Sequence, residues 1–344
     1  MPLSIGIVGL PNVGKSTLFQ AITKKKVDTS NYPFCTIDPN LGCVEVPDER
    51  LDKLAEALKP KKKIYSLIEF VDIAGLVKGA HQGEGLGNQF LSHIREVDVI
   101  VFVLRVFFNE KIINTRNELN AVKEKEILDL EMALKDISVL EKRIKALKQE
   151  PKERQVLEKL KSLLEKGKIL AEEKLTEKEK GFAKSYQLLT LKPRIYLLNG
   201  KENEVSSQGF FEKSKFPFIV MDVLTELESS SFSREERKVL DLAEPKIDDL
   251  IKKSFDLLDL ITFFTVKSDE NRAWNVKKGS TAPQAGGIVH SDFETHFIKA
   301  EVASWKDLVE HKEWAKIREK GLLRTEGKEY VVQDGDVLQI KTAL

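Results

Sequence analysis

The sequence is poor in cysteine and contains no long hydrophobic run. Its 344 residues include two cysteines, too few for the disulfide framework that stabilises small secreted domains. No apolar stretch approaches the roughly 20 residues that a membrane-spanning helix needs. The first residues also lack the charged and apolar regions of a signal peptide. We therefore expect a cytoplasmic protein that makes no contact with a membrane.

An excess of charge of one sign is also missing. The chain has 56 Lys and Arg against 55 Asp and Glu, a formal net charge of +1. This balance excludes a polybasic nucleic-acid arm or an acidic tail as a dominant feature. Any contact with RNA must use local basic patches such as residues 24–26, 61–63 or 277–278, and such patches are more often plain solvated surface.

What the sequence does contain is an alternation of short apolar runs and helical stretches. Continuous apolar runs are typical of strands in a parallel sheet that helices cover on both faces. These runs occupy residues 5–8, 64–71, 97–106, 194–198 and 218–221. The pattern predicts an α/β fold whose later strands are separated from the earlier ones by an insertion.

The insertion has a composition of its own. Between residues 121 and 180, 30 of 60 residues are charged and none is aromatic. A narrow apolar stripe on charged helices predicts a coiled-coil seam. The stripe consists of Ile127, Leu130, Leu134, Ile137, Ile144 and Leu147, followed by Leu157, Leu160 and Leu164.

Pro151 is predicted to mark the tip where the helical arm turns back, because proline disfavours helix at the preceding residue. Two arms of about 30 residues give a projection of roughly 45 Å. One interpretation is a solvated helical pair without a ligand, and the other is a docking arm for a large partner.

After about residue 261, strand-like runs bracket glycine-bearing turns, which predicts a small mixed α+β module. The α/β domain is therefore predicted at residues 1–115 and 191–260, the helical insertion at 116–190 and the C-terminal module at 261–344.

The strongest motif runs from Gly9 to Thr17, reads GLPNVGKST and fits G-x-x-x-x-G-K-[ST] between a strand and a helix. Backbone N–H groups in such a loop and at the helix N-terminus bind phosphates. Lys15 is predicted to place its charge between the β- and γ-phosphates, and the Ser16 hydroxyl to bind Mg²⁺. The motif predicts a nucleoside triphosphate site.

Two further segments are predicted to respond to the γ-phosphate. A strand ends in D-x-x-G at Asp72 and Gly75; Asp72 would hold Mg²⁺ through water, and the Gly75 N–H would sense the γ-phosphate. Thr36, in the loop between the phosphate motif and this strand, is predicted to close on Mg²⁺ when a triphosphate is bound, as switch loops do.

Leu76 stands where many GTPases carry a glutamine that positions the attacking water. Leucine cannot orient water, so intrinsic hydrolysis is predicted to be slow. His81 is the candidate catalytic residue that takes over the role of this glutamine. The alternative is that His81 is a surface histidine without a role.

The segment that contacts the base bears on the choice between ATP and GTP. A guanine-specific site carries N-K-x-D, whose aspartate accepts from two guanine donors. Here the segment is Asn199-Gly200-Lys201-Glu202, so the carboxylate is one methylene longer and displaced. Asn199 or backbone groups near Gly200 can instead contact adenine. The segment predicts ATP preference or relaxed specificity; the alternative is a strand end with an unrelated asparagine.

With these motifs assembled, the chain resembles the Obg-like ATPase (YchF) family, within the translation-factor class of P-loop NTPases. The segments that carry the resemblance span nearly the whole chain. They are the phosphate motif, Asn31–Asn40, Asp72–Leu91, Asn199–Glu202, Ala273–Glu294 and Glu326–Ile340.

The resemblance implies a P-loop G-domain with a coiled-coil insertion and a C-terminal TGS domain of β-grasp type. It implies hydrolysis of ATP in preference to GTP, Mg²⁺ on Ser16 and Thr36, a base contact at Gly200, and association with the ribosome, through its large subunit, or with RNA. It also implies phosphate contacts from Asn12, Val13, Gly14, Lys15, Ser16 and Thr17. We expect a monomer. Asn12 in the loop motivates a further hypothesis, namely K⁺ dependence.

Other functions fit parts of the sequence. A conventional GTPase needs the same phosphate loop, and an RNA- or ribosome-binding scaffold needs nucleotide only as a structural group. A metabolite kinase shares the loop too, but the sequence offers no second small-molecule pocket.

The first prediction concerns the base. In a competition titration with a labelled nucleotide, ATP should displace the label at least as well as GTP, because the displaced Glu202 cannot pair with the guanine donors. Binding of GTP at least tenfold tighter than ATP would show that this interpretation of Glu202 is wrong.

Overall fold

The structure, a computed structural model, describes residues 3–24, 40–73, 88–110, 119–147, 151–206, 216–232, 234–240, 242 and 245–343. These residues form two compact units. The second unit contains residues 45–67 and 255–343, and the first unit contains the other described residues.

The strands, in chain order, are β1 (Leu3–Val8), β2 (Leu41–Val46), β3 (Lys62–Ile64), β4 (Ser66–Asp72), β5 (Val99–Arg105), β6 (Arg194–Asn199), β7 (Phe218–Met221), β8 (Leu260–Val266), β9 (Glu270–Lys277), β10 (Phe297–Ser304), β11 (Arg324–Glu326) and β12 (Asp336–Thr342).

The helices are α1 (Lys15–Thr23), α2 (Glu49–Leu58), α3 (Asn88–Glu96), α4 (Ala121–Ala146), α5 (Pro151–Glu165), α6 (Glu177–Ser185), α7 (Glu202–Ser206), α8 (Val223–Glu228), α9 (Arg234–Val239), α10 (Ile247–Leu257), α11 (Ala282–Val289), α12 (Ser291–Thr295), α13 (Trp305–His311) and α14 (Trp314–Glu319). Short 3₁₀ turns occur at Leu170–Glu172, Leu189–Leu191 and Ser229–Ser231. No helix in the described ranges has the length and apolar character needed to cross a membrane.

The first unit is built on a six-stranded sheet in the order β2-β4-β1-β5-β6-β7. The pairs β1–β4, β1–β5, β5–β6 and β6–β7 are parallel. All seven residues of β5 and all six of β6 are buried, as expected where both faces of a sheet are covered. The predicted α/β fold with a parallel sheet is therefore confirmed.

The apolar run predicted as one strand over residues 64–71 divides at Tyr65. β4 joins the first sheet between β2 and β1, whereas β3 pairs in parallel with β9 in the sheet of the second unit. The apolar run gives no signal for this change of sheet, because Ile64 is buried at the end of β3 just as the residues of β4 are buried in the first sheet.

The helical insertion follows β5. Helix α4 is 26 residues long, about 39 Å at 1.5 Å per residue, and Asn120 caps it by accepting from the Lys123 N–H at 3.1 Å. A hydrophobic cluster joins the distal part of α4 to α5 and α6. Its fully buried members are Ala133, Leu140, Leu147, Leu157, Leu160, Leu164, Leu170, Leu175, Ala183 and Leu188.

The predicted seam is wrong in its first half. The later members of the predicted stripe, Ile137, Ile144 and Leu147, do pack in the cluster. Leu130 and Leu134 are 58% and 53% exposed, and Ala133 and Leu140 are buried in their place. The reason is that the first half of α4 buries Leu128 and Met132 together with acidic side chains, so its buried face is set by contacts other than the seam.

The second arm is also shorter than predicted. Helix α5 has 15 residues and ends at Glu165. Gly167, two residues further on, has a φ of +71°, the left-handed conformation that glycine adopts without strain. The Gly167 N–H donates to the Leu164 carbonyl at 2.9 Å, and the Lys168 N–H donates to the Leu163 carbonyl at 3.0 Å. This C-terminal cap stops the helix.

Two buried acidic residues hold α4 in place. Asp129 pairs with the fully buried Arg194 of β6 at 2.7 Å, and Arg194 also donates to the Thr190 carbonyl at 3.1 Å. Asp136 accepts from the Leu189 N–H, the Thr190 N–H and the Thr190 hydroxyl at 2.9, 2.8 and 2.7 Å. Burial raises the pKa of Asp136, and these hydrogen bonds oppose that shift.

The second unit carries a six-stranded sheet in the order β11-β10-β12-β8-β9-β3. Residues 45–67 belong to this unit, although the sequence predicts residues 1–115 as part of the first domain. Leu51 and Leu54 of α2 pack with Phe264 and Leu308, and Arg50 pairs with Asp334 at 2.6 Å. An amphipathic helix such as α2 shows which of its faces is buried, but not which sheet it covers.

The second prediction tests the buried pair that holds α4. Asp129→Ala should lower the free energy of unfolding by about 3–5 kcal/mol, since it leaves the Arg194 charge buried without its carboxylate. Urea denaturation followed by circular dichroism measures this loss.

The matched control is Glu158→Ala, which removes the half-exposed pair Arg154–Glu158 on α5 and should cost below about 0.5 kcal/mol. Equal losses for the two variants would contradict a special role for Asp129.

Candidate nucleotide-binding site

The phosphate motif forms the loop between β1 and α1, at the carboxyl edge of the first sheet. The loop has no room for side chains at two glycines. A Cβ on Gly9 would lie 2.5 Å from the Val103 carbonyl oxygen, and one on Gly14, whose φ is +101°, would collide with the Asn199 amide nitrogen. The glycines of the motif are thus required by packing against β5 and β6 as well as by phosphate chemistry.

Helix α1 begins at Lys15, and its N-cap Gly14 offers no side chain to the first-turn N–H groups. The first turn also carries no acidic residue. N–H groups at such a helix end attract anions, because they lack partners within the helix and carry the positive end of the helix dipole. The arrangement suits a phosphate group.

The Lys15 ammonium lies inside the curve of the loop, where it donates to the Leu10 carbonyl at 2.7 Å. Burial lowers the pKa of Lys15 to about 8, and the negative charges of Asp72 and Glu124 oppose that shift. In the free chain the Lys15 ammonium therefore lies near acceptors but largely out of water. A bound phosphate would place a negative charge beside it and stabilise its charged form.

Ser16 and Asp72 lie together beside the loop. The Ser16 hydroxyl donates to Asp72 Oδ2 at 3.2 Å, and Asp72, at the end of β4, is buried and sits opposite Ile7 of β1. Hydroxyl and carboxylate oxygens are ligands that Mg²⁺ prefers, so the two residues fit the predicted ion. Thr17 follows on α1 and is half-buried.

Asn199, predicted as a base contact, joins the loop to two neighbouring elements. Its amide nitrogen donates to the Val13 carbonyl at 2.8 Å, and its amide oxygen accepts from the Val223 N–H at 3.1 Å. Its main-chain carbonyl accepts from the N–H groups of Val106 and Phe107 at 3.0 and 3.1 Å. Asn199 thus ties the phosphate loop to the exit of β5 and the start of α8.

The remaining base-segment residues have separate surroundings. Gly200 has a φ of +151°, donates to the Met221 carbonyl at 3.0 Å and has no space for a Cβ beside Val106 and Glu204. Glu202 is 79% exposed at the start of α7 and pairs with Lys246 at 3.0 Å. The carboxylate nearest Gly200 is therefore that of Glu204, which also accepts from the Lys201 N–H at 2.6 Å.

Three residues near the site were not predicted. One is Glu204, whose spacing of three from Lys201 is a helix-capping signal that was available in the sequence. The others are Arg105, at the end of β5, and Glu124, which accepts from the Arg105 N–H at 2.9 Å. Their adjacency depends on how α4 packs and leaves no local signal in the sequence.

Three predicted residues, Thr36, Gly75 and His81, lie outside the described residues, as do Leu76 and the loop over residues 31–36. The structure brings together Lys15, Ser16, Asp72 and Asn199, with Asn12 and Val13 on the loop itself and Gly200 beside it. Glu202, also predicted at the site, is exposed and pairs with Lys246.

Comparison with known proteins gives matches along the whole chain. A family model described as a 50S ribosome-binding GTPase matches residues 4–143, and a model of the YchF GTPase C-terminal domain, described as a protein of unknown function, matches residues 260–343. The chain is 45% identical to a Bacillus subtilis protein named Ribosome-binding ATPase YchF, over 99% of both chains. It is 42% identical to the protein of the same name from Escherichia coli O157:H7, over 98% of both.

Among solved structures, the YchF GTPase of Schizosaccharomyces pombe matches with a TM-score of 0.89 at 36% identity. The match covers 98% of this chain and 97% of that one. The likeness therefore includes both compact units and the helical insertion.

The third prediction follows from the pKa of Lys15. At pH 8 about half of the Lys15 side chains in the free protein are deprotonated. The phosphates of bound MgADP favour the protonated, charged form. Binding at pH 8 should therefore take up protons, and affinity should fall as the pH rises above about 8. Calorimetry in two buffers of different ionisation enthalpy measures this uptake.

The matched control is Lys15→Arg, which keeps the positive charge at all these pH values and should bind MgADP without proton uptake. Identical heats in the two buffers for the unaltered chain would contradict the prediction.

Proposed function

The chain belongs to the YchF family, and we propose that it acts as a nucleotide-dependent switch that binds and slowly hydrolyses ATP in preference to GTP and associates with the ribosome. Relatives named Ribosome-binding ATPase YchF cover 98–99% of the chain at 42–45% identity, which supports the proposal over the full length.

One observation of the site carries the proposal. Lys15, Ser16 and Asp72 meet at the carboxyl edge of a parallel sheet, beside a helix N-terminus that no side chain caps. Ligands of open α/β sheets bind at this edge, and the charges present suit a triphosphate with a divalent cation. The loop N–H groups would hold the phosphates, and the Lys15 ammonium would leave the Leu10 carbonyl to contact them.

P-loop NTPase folds generally use Mg²⁺, and the oxygens of Ser16 and Asp72 fit it. In the proposal Ser16 would bind the ion directly, Asp72 would hold it through water, and Thr36 would join when the γ-phosphate is present. The ion would supply positive charge that offsets the negative charge of the phosphates during transfer. We extend the proposal to K⁺ at the loop, because Asn12 is exposed there.

Hydrolysis itself is proposed to be slow. Leu76 cannot orient the attacking water, so the step relies on another group, for which His81 is the candidate. The Gly75 N–H would report the presence of the γ-phosphate to the segment that follows it. Charge neutralisation by Lys15 and Mg²⁺ supplies transition-state stabilisation in either case.

The preference for ATP follows from the position of one carboxylate. A guanine site needs an acceptor that faces N1–H and N2–H₂, but the Glu202 carboxylate pairs with Lys246 instead. In the proposal the base is contacted by backbone groups around Gly200, where the packing against Val106 leaves no space for a side chain. Without an acceptor placed for the guanine N–H groups, the site would not bind GTP more tightly than ATP.

The partner is proposed to be the large ribosomal subunit, with RNA as part of the contact. We also propose that the protein is cytoplasmic and monomeric. Among the function classes weighed above, a scaffold that uses nucleotide only structurally predicts the same binding but no dependence of phosphate release on Lys15, which makes it an outcome of the test below.

The fourth prediction tests the proposed function. Phosphate release with ribosomes should fall about tenfold or more in Lys15→Ala, because that variant lacks the charge beside the β- and γ-phosphates. Co-sedimentation with ribosomes should differ between an ATP analogue, ADP and no nucleotide. Buffers with K⁺ or Na⁺ form a second arm, in which faster release in K⁺ is expected.

The matched control is Lys252→Ala, which removes an exposed lysine on α10 and should leave phosphate release unchanged. Release unaffected by Lys15→Ala, with ribosome binding intact, would replace the switch with the scaffold. Equal release in K⁺ and Na⁺ would remove K⁺ from the proposal.

A further inference from the structure

Glu124 is an acidic side chain in the first turn of α4, buried beside the phosphate loop. It is 8% exposed, and its Oε2 accepts from the Arg105 N–H at 2.9 Å, at the carboxyl end of β5. Burial lowers the pKa of the Lys15 ammonium, and the negative charge of Glu124, with that of Asp72, opposes this shift. A buried carboxylate in a site for phosphates is costly once those phosphates arrive, because like charges repel strongly away from water.

Hydrogen bonds and a short stretch of main chain together connect this carboxylate to the loop. Val13 in the loop accepts from the Asn199 amide at 2.8 Å. The Asn199 carbonyl accepts from the N–H groups of Val106 and Phe107. The N–H of the preceding residue, Arg105, donates to the Glu124 carboxylate. The loop and the first turn of α4 are therefore attached to the same three-residue stretch at the exit of β5.

Arg105 keeps that stretch in a fixed conformation. Its guanidinium lies over the Phe107 ring at 4.4 Å and donates to the carbonyls of Phe107 and Asn109 at 3.3 Å each. Packed side chains and hydrogen bonds of this kind are the contacts through which coupling between two sites can travel.

Helix α4 is held to the sheet at a second point, the Asp129–Arg194 pair. The helix rise places Glu124 about 7 Å from Asp129. Further along α4, Asp136 holds the helix through its hydrogen bonds with Leu189 and Thr190. A displacement that begins at the phosphate site is therefore expected in the first turns of α4, ahead of these two anchors.

We propose that Glu124 is a positioning residue that couples the helical arm to the phosphate site, moving the first turn of α4 when nucleotide phosphates occupy the loop. The inference rests on the proposed function, since it requires that nucleotide binds this loop. By linkage, a partner that holds the arm in its displaced position would raise the affinity of the site for nucleotide by the same factor.

The fifth prediction separates the charge of Glu124 from its hydrogen bond. Glu124→Gln keeps an acceptor for the Arg105 N–H but removes the charge, so MgADP should bind about three- to tenfold tighter. In the unaltered full-length chain, MgADP should change amide hydrogen exchange in residues 121–135 at least about threefold. In Glu124→Gln that response should disappear.

Two further variants complete the design. Glu124→Asp keeps the charge and should retain the exchange response, which a purely structural hydrogen bond would not predict. Glu126→Gln removes an exposed charge half a turn further along the same helix and should match the unaltered chain in affinity and response.

An exchange response retained in Glu124→Gln, or lost in Glu124→Asp, overturns the coupling. Failure of the unaltered chain to bind MgADP would instead refute the proposed function. The two failures are therefore distinguishable in one experiment.

Discussion

The hydrogen bond from the Asn199 amide to the Val13 carbonyl is the contact on which the candidate site depends. It joins the loop to β6, which like its neighbour β5 is buried along its whole length, and buried strands of this kind are the least prone to local opening. Gly14 lies against the same amide with no space for a side chain. In the proposed function, this contact would hold the N–H groups of the loop in place for phosphate before the ligand arrives, and preorganisation of this kind is what makes charge stabilisation effective.

The sequence predicts well those features that are carried by neighbouring residues. The phosphate loop, the helix after it and the parallel sheet follow from glycine spacing and from continuous apolar runs, and the structure confirms the fold. Prediction from neighbouring residues fails where contacts between elements far apart in the sequence determine which side chains are buried and which sheet a strand joins. Leu130 and Leu134 are exposed because the first half of α4 instead buries Leu128, Met132 and acidic side chains, and β3 pairs with β9 in the sheet of the second unit.

The segment predicted to contact the base, residues 199–202, also combines features that the sequence predicts with features that it does not. Asn199 and Gly200 are marked by the sequence, but their hydrogen-bond partners are 24 and 21 residues away or more, so their roles in the fold were not predictable. Glu202 was predicted at the base from its position after Asn199, whereas the structure pairs it with Lys246. Arg105 and Glu124 carry no motif at all, since only the packing of α4 against the end of β5 brings them together.

The most direct test of this account asks what Asn199 supports. We predict that Asn199→Ala weakens binding of MgATP and of magnesium tripolyphosphate, which has no base, by the same factor of about ten, because the variant loosens the phosphate loop. Weaker binding of MgATP with unchanged binding of tripolyphosphate would contradict the account and assign Asn199 to the base.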